Sequence, residues 1–352
     1  MNYKICIPIE HQQKGGMFTF LASFRRWLDA NGIPHTQDWR ANYEVLFVNS
    51  WAVPGQLVQR VKQKRPNIKI IQRIDGSGQD YGRADDSDER QAIVNYWADG
   101  SIFQSSYSKF ATMEKFKIIQ KDGPIIYNPA DLETFRPLSK TKPAKVDRVR
   151  VCNASFSTNR KKGTWMFEQL AKENPEVDFV LCGNYPKMPP LPNLIFKGHL
   201  GREELADVMR GCTLFAHLAQ NDPCPNVVTE ALASGLPILY VDSGGTPELA
   251  GPAGLPVTAE NFSQQLSHLL AERDRFSQLA RSRAEAEFSP ERNFSEYLSA
   301  IENAPILTAP SRADRQALAA QGYPITPKTA ADWGRWLKRD LRDSARIWSG
   351  RI

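Results

Sequence analysis

No run of the chain reaches the roughly 18 to 20 apolar residues that a membrane-spanning helix needs, and the first apolar stretch, 3–9, is too short for a signal peptide. Five cysteines in 352 residues (Cys6, Cys152, Cys182, Cys212, Cys224) are odd in number, scattered and set mostly in apolar runs. That pattern argues against a disulfide frame or a zinc site and for reduced, buried thiols in a cytoplasmic protein. The histidines (His11, His35, His199, His217, His268) include no pair at metal-ligand spacing, so no metal is expected. A Walker loop and a Gly-x-Gly-x-x-Gly fingerprint are both absent, as is any short-period repeat. An excess of one charge is small: the net charge is +6 and the pI is about 9.0. This welcomes anionic partners, but without interleaved aromatic and basic strands no nucleic acid is expected among them.

The composition, 41% hydrophobic and 24% charged, is that of a soluble globular protein long enough for two cores. Short β-rich runs at 4–9, 45–49, 68–74, 101–104 and 124–127 alternate with mostly amphipathic stretches, which predicts a parallel sheet wrapped by helices. The proline- and charge-rich segment 136–145 reads as a linker. A second α/β series follows, with strands expected at 149–152, 177–182, 194–196, 214–217 and 237–241. The expected domains are 1–138, 146–302 and a helical tail at 303–352. In the tail, Trp333, Leu337, Leu341, Ala345 and Trp348 recur at helical spacing among Arg335, Lys338, Arg339, Arg342 and Arg346. Such a basic amphipathic helix either packs on the first lobe or touches an anionic membrane.

Ligands of open parallel sheets bind beyond the carboxyl ends of the strands, which directs the search to loops. In 221–235, Pro225 suits a first helical position and Gly235 an end. The amides near Asn226 and Val227 could then hold a phosphate, with Asp222 beside it and Glu230 in reach of a ribose hydroxyl. An ordinary capped core helix is the competing reading. Arg160, Lys161 and Lys162 follow the first strand of the second series, where they neutralise a diphosphate or form a solvated turn. Gly15-Gly16, after the first strand of all, permits close backbone approach to a ligand or makes a plain turn. The acidic run 85–89 contains Asp-x-Asp, but it precedes a helical pattern and reads as an N-cap with an acidic first turn.

Taken in order, these pieces resemble the retaining nucleotide-sugar glycosyltransferases of family 4. Gly15-Gly16 matches the family's amino-terminal glycine loop and 128–137 its Asn-Gly-Val-Asp…Phe-x-Pro segment. Lys162-Gly163 matches its Lys-Gly, Asp222 to Glu230 its Glu-x7-Glu, and 244–248 its Gly-Gly-x-Pro-Glu. The resemblance spans roughly residues 1–300. It implies the GT-B fold, two Rossmann-like lobes facing across a cleft, and a metal-independent transfer from a nucleoside diphosphate sugar to a hydroxyl, with no cofactor.

The implied partners are a nucleotide sugar and a glycan or lipid-linked glycan acceptor, in surface polysaccharide assembly, with peripheral contact at the inner membrane face as a further expectation. Arg160, Lys162, Asn226 and Val227 would bind the diphosphate, Glu230 the ribose, and Gly15 and Gly16 would close on the donor. Asp222 would sit by the sugar. The chain departs from the family pattern at several points: Asp222 replaces Glu, Pro225 replaces Gly and deletes an N–H, and the usual Arg before the Lys has no counterpart. The family's early histidine is also missing. Arg73-Ile74-Asp75-Gly76 occupies that loop, which makes Asp75 a candidate for orienting donor sugar or acceptor, against a simple Asp-Gly turn. A sugar-nucleotide epimerase or hydrolase, and a non-catalytic sugar-nucleotide-binding subunit, are the alternatives.

Overall fold

The computed structural model describes residues 3–8, 15–137, 148–325, 334, 338–339 and 341–344. The chain divides into two compact units, Met1–Ile126 with Phe294–Ile352, and Tyr127–Asn293. The chain therefore passes into the second unit at Tyr127 and returns at Phe294, inside a helix, and not at the expected boundaries near 138 and 302.

The first unit holds a five-stranded sheet in the order β2-β1-β3-β4-β5. The strands are β1 (Ile5–Cys6), β2 (His35–Thr36), β3 (Val45–Asn49), β4 (Lys69–Ile74) and β5 (Gly100–Phe103), all paired in parallel. Both faces are covered, so β3 reads as one apolar run, Val45 to Val48, and is buried throughout. The expected strand 124–127 is only a single bridge, Phe103 to Ile125. Helices α1 (Gly16–Ala30), α2 (Gly55–Lys64), α3 (Ser87–Trp97) and a short α4 (Ser106–Lys109) join the strands. Phe20, Phe24 and Leu28, at four-residue spacing on α1, meet Phe47, Phe294 and Tyr297 in an aromatic core.

The second unit holds a six-stranded sheet in the order β11-β10-β9-β6-β7-β8. Its strands are β6 (Arg150–Ser155), β7 (Asp178–Gly183), β8 (Leu194–Gly198), β9 (Leu214–His217), β10 (Ile238–Tyr240) and β11 (Gly254–Pro256), again parallel. The helices are α5 (Thr164–Glu173), α6 (Arg202–Arg210), α7 (Asn226–Ala233), α8 (Thr246–Ala250), α9 (Phe262–Ala271) and α10 (Arg273–Glu287). Helix α11 (Pro290–Asn303) carries the chain back, and α12 (Arg312–Ala320) follows in the first unit.

Residues 138–145 of the expected linker lie outside the described residues, as do 146–147 and Trp333, Arg335, Leu337, Ala345, Arg346 and Trp348 of the tail. Residues 341–344 are helical, with Leu341 73% exposed. Arg339 is buried, with Nη1 3.3 Å from Asp86 and 3.8 Å from Glu89. No helix among the described residues is long and apolar enough to cross a membrane.

Candidate functional site

In the second sheet, strands added after β6 run outward through β7 and β8, whereas β9 to β11 lie on the other side of β6. The order therefore reverses between β6 and β9, and the loops after these two strands flank the switch point beyond which open α/β sheets bind ligands. After β6, Asn159 caps a single 3-10 turn, Arg160–Lys162, by accepting the Lys161 N–H at 2.9 Å. Gly163 ends it at φ 73, and a Cβ there would lie 2.0 Å from the Leu218 carbonyl oxygen. The two loops are further tied by the Gln220 N–H, which donates to the Lys161 carbonyl at 2.7 Å.

This close approach delivers Lys162 to Asp222. The ammonium donates to Asp222 Oδ2 at 2.6 Å, and the side chains are only 19% and 11% exposed. Asn221, in the left-handed region at φ 57, turns the backbone into Asp222. Its N–H donates to Ser243 Oγ at 2.9 Å. Beneath Asp222 lies the glycine pair: Gly245 N–H donates to the Asp222 carbonyl at 2.8 Å. A Cβ on Gly244 would lie 2.4 Å from that oxygen. The Gly-Gly-x-Pro-Glu segment is thus the floor of the Asp222 loop. His217, ending β9, is buried beside them, with Nε2 3.9 Å from Asp222 Oδ2 and Nδ1 2.9 Å from Thr246 Oγ1. Burial, aided by Lys162 and opposed by Asp222, lowers its pKa to about 4, so the ring is neutral at neutral pH.

Helix α7 opens at Asn226 with Pro225 as its N-cap, one position before the expected placement of Pro225 inside the first turn. Asn128 donates to Asn226 Oδ1 at 2.8 Å. Val227 is half-buried in that first turn and packs on the core. Gly235 follows the C-cap Ser234 at φ 74, as the sequence suggests. Glu230, in the middle of α7, is 8% exposed. Burial raises its pKa to about 7, with Arg202 opposing and Asp131 adding to the shift. Arg160 is exposed on the same turn as Lys162.

Gly15, Gly16 and Asp75 belong to the other unit and lie along the carboxyl edge of its sheet. Gly15 is the N-cap of α1 at φ 120, ψ 170, a conformation essentially restricted to glycine. Asp75 follows β4 and is bonded by Arg73 and by Asn49 Nδ2, the latter at 3.2 Å. In the acidic run 85–89, Asp86 is the N-cap of α3 without a side-chain cap bond. Asp88 instead accepts from Ser77 Oγ and the N–H groups of Gly78 and Gln79. No group of metal-ligating residues occurs among the described residues.

Sequence reasoning did not single out Arg73, Asn49, Gln104 and Thr246 as site residues. The available signal was a polar residue closing an apolar strand run, as Asn49 does after Val45 to Val48.

Residues 148–272 match the family described as Glycosyl transferases group 1. A 97-residue stretch is 35% identical to a GDP-mannose-dependent alpha-mannosyltransferase of Mycobacterium tuberculosis (strain CDC 1551 / Oshkosh). Over 97 residues the chain is also 34% identical to the protein of the same description in Mycolicibacterium smegmatis. Each match covers 26% of this chain and 26% of the relative, so the chain spans about a quarter of the length of these relatives. Among solved structures, HepE of Anabaena in complex with UDP-glucose is similar with a TM-score of 0.65 and 15% identity, over 85% of this chain and all of that one. Sucrose-phosphate synthase from Thermosynechococcus elongatus gives 0.62 and 18%, over 86% of this chain and 78% of that one. The switch-point loops thus lie in the segment that matches the group 1 glycosyl transferase model, and the two parallel sheets are those of the GT-B fold.

Proposed function

We propose that the protein transfers a glycosyl group from a nucleoside diphosphate sugar to a hydroxyl acceptor with retention of anomeric configuration, in the assembly of a surface glycan. The observation that carries this reading is the Lys162–Asp222 pair at the switch point of the second sheet, followed within one loop by the start of α7. As the C1–O bond breaks, negative charge gathers on the departing diphosphate and positive charge on the sugar. Lys162, Arg160 and the first-turn amides of Asn226 and Val227 would meet the diphosphate. Asp222 would accept from sugar hydroxyls, and Glu230 from the ribose. Retention follows if the acceptor hydroxyl attacks from the face the phosphate leaves and gives its proton to that phosphate.

GDP-mannose is the first donor to try, because the curated relatives carry it in their descriptions, and UDP-glucose the second, because it occupies HepE. Gly15, Gly16 and Asp75, in the first unit, would be further substrate-binding residues. Peripheral membrane contact through the tail is supported by the exposed Lys338, Leu341 and Arg342, while Arg339 is engaged by Asp86 and Glu89.

The test is thermal stabilisation by GDP-, UDP-, ADP- and dTDP-sugars. A ligand at a hundred times its Kd adds about 2.7 kcal/mol. Stabilisation by one class of base, lost in Glu230→Ala and in Lys162→Ala, is the expected result. No stabilisation by any sugar nucleotide at millimolar concentration defeats the proposal.

A further inference from the structure

At the carboxyl edge of the first sheet, neighbouring strands end in polar residues that converge. Asn49 ends β3 and pairs in register with Arg73 of β4, while Gln104 follows β5. Arg73 is 1% exposed and heads the fully buried side chains by size. Its Nε donates to the Tyr297 hydroxyl at 3.2 Å, Nη1 to Asn49 Oδ1 at 2.8 Å and to Asp75 Oδ1, and Nη2 to Gln104 Oε1 at 2.8 Å. The guanidinium carbon stands 4.0 Å from the centroid of the Phe20 ring.

The hold on Asp75 is as complete. Its Oδ2 accepts from Asn49 at 3.2 Å, and its backbone carbonyl accepts from Gln104 Nε2 and from Ser108 Oγ, the latter at 3.1 Å. Nearby, Ser50 adopts φ 50, in the left-handed region a serine rarely occupies, and its N–H donates to the Arg73 carbonyl at 2.6 Å.

An Asp-Gly turn needs none of this. Burying a guanidinium costs several kcal/mol of desolvation, and apolar residues of similar volume commonly stabilise a fold as well or better. What the arrangement does accomplish is to fix one carboxylate. Asp75 is 31% exposed, and Arg73 and Asn49 occupy only part of the roughly four acceptor positions of a carboxylate. At 31% exposure the carboxylate keeps accessible surface at the strand ends, where parallel sheets bind ligands.

We infer that Arg73 is a positioning residue, which holds the Asp75 carboxylate in one orientation to accept a hydrogen bond from a sugar hydroxyl of the substrate. The inference rests on the glycosyl transfer proposed above. Arg73 touches no substrate in this scheme and acts through Asp75.

A double-mutant cycle on nucleoside diphosphate release, with sugar-nucleotide affinity measured in parallel, tests it. Asp75→Asn is expected to lower kcat roughly 10- to 100-fold, the size of effect a displaced orienting group produces. Arg73→Lys, which keeps the charge and loses the fork, should lower kcat by a similar factor and leave sugar-nucleotide affinity unchanged. In the Asp75→Asn background Arg73→Lys should cost little more, because the group it positions is gone. Should Arg73→Lys fail to fold, Asn49→Ala removes one donor to Asp75 and takes its place in the cycle. Multiplicative effects of the two substitutions, or undiminished turnover in Asp75→Asn, overturn the inference while glycosyl transfer stands. A wild type that neither binds nor turns over any sugar nucleotide overturns both.

Discussion

The Lys162 ammonium lies 2.6 Å from Asp222 Oδ2, and the residues come from loops that follow different strands, β6 and β9. With both side chains largely buried, the pair depends on its mutual neutralisation far more than a surface ion pair would. Sixty residues of chain separate the partners, so their meeting is a product of the sheet order and of the glycine at 163.

Removing the cation alone should leave a poorly solvated carboxylate. Lys162→Met is expected to destabilise the protein by about 2–4 kcal/mol, and adding Asp222→Asn should restore most of it. Urea midpoints of the two single variants and the double variant measure this. Equal midpoints for Lys162→Met and the double variant would mean that water or another cation already serves Asp222.

Much of the architecture is legible in the sequence. The strands 45–49 and 214–217 are continuous apolar runs, and the structure places β3 and β9 at those residues. The edge strands β2 and β11 are two and three residues long and have no such run to betray them. Segment 124–127 reads as a strand, but Pro124 opens it, Pro129 follows two residues after its end, and it forms one bridge only. In the site, Lys162 and Asp222 were legible because each follows a strand in a polar loop. The buried partners of Arg73 and His217 are not legible, because a polar residue at the end of an apolar run looks like the strand simply stopping. Their partners Tyr297 and Thr246 are 224 and 29 residues away, and only the fold brings them near.

Glu230, with its pKa raised to about 7 chiefly by burial, gives donor binding a pH dependence. Only the carboxylate can accept from both ribose hydroxyls, so affinity should rise with pH up to about 7 and level off above it. Below that point the loss approaches tenfold per pH unit if the ionised form alone binds. A sugar nucleotide is the right probe, since its diphosphate does not itself titrate there. Calorimetry between pH 5.5 and 8 should show this slope and proton release on binding. Both should vanish in Glu230→Gln. A flat profile in the wild type would separate Glu230 from the ribose.

Two buried groups in the second unit also oppose each other in folding stability. His217, lowered from 6.5 to about 4, contributes stability that is complete above pH 6.5 and is lost as pH falls toward 4. Glu230, raised from 4.5 to about 7, does the reverse: its contribution is complete below pH 4.5 and is lost as pH rises through 7. Each is on the order of 3 kcal/mol, so across the shared window they nearly cancel. Glu230→Gln should therefore show a stability, relative to wild type, that increases from pH 4.5 to 7, and His217→Gln a relative stability that decreases from pH 4 to 6.5. Parallel wild-type and variant curves over this range would contradict the assignment.

The last prediction concerns the floor under Asp222. Gly244 has φ 70, and a Cβ there would lie 2.4 Å from the Asp222 carbonyl oxygen and 2.7 Å from its nitrogen. Both neighbours are backbone, so no rotamer change can relieve the overlap and the Asp222 loop itself must move. Gly32, with φ 64 and nothing within 4 Å of its would-be Cβ, isolates the conformational part of the cost. Gly32→Ala should lose about 1–2 kcal/mol, the price of a left-handed alanine, and keep full turnover. Gly244→Ala should lose that and more, and because it shifts Asp222 relative to Lys162 it should lower turnover by roughly 100-fold. Thermal melts and nucleoside diphosphate release on the two variants decide the matter. If Gly244→Ala matched Gly32→Ala in both, the Asp222 loop would have to be slack enough to absorb a methyl group, and the rigid hold that the proposed chemistry demands of it would not exist.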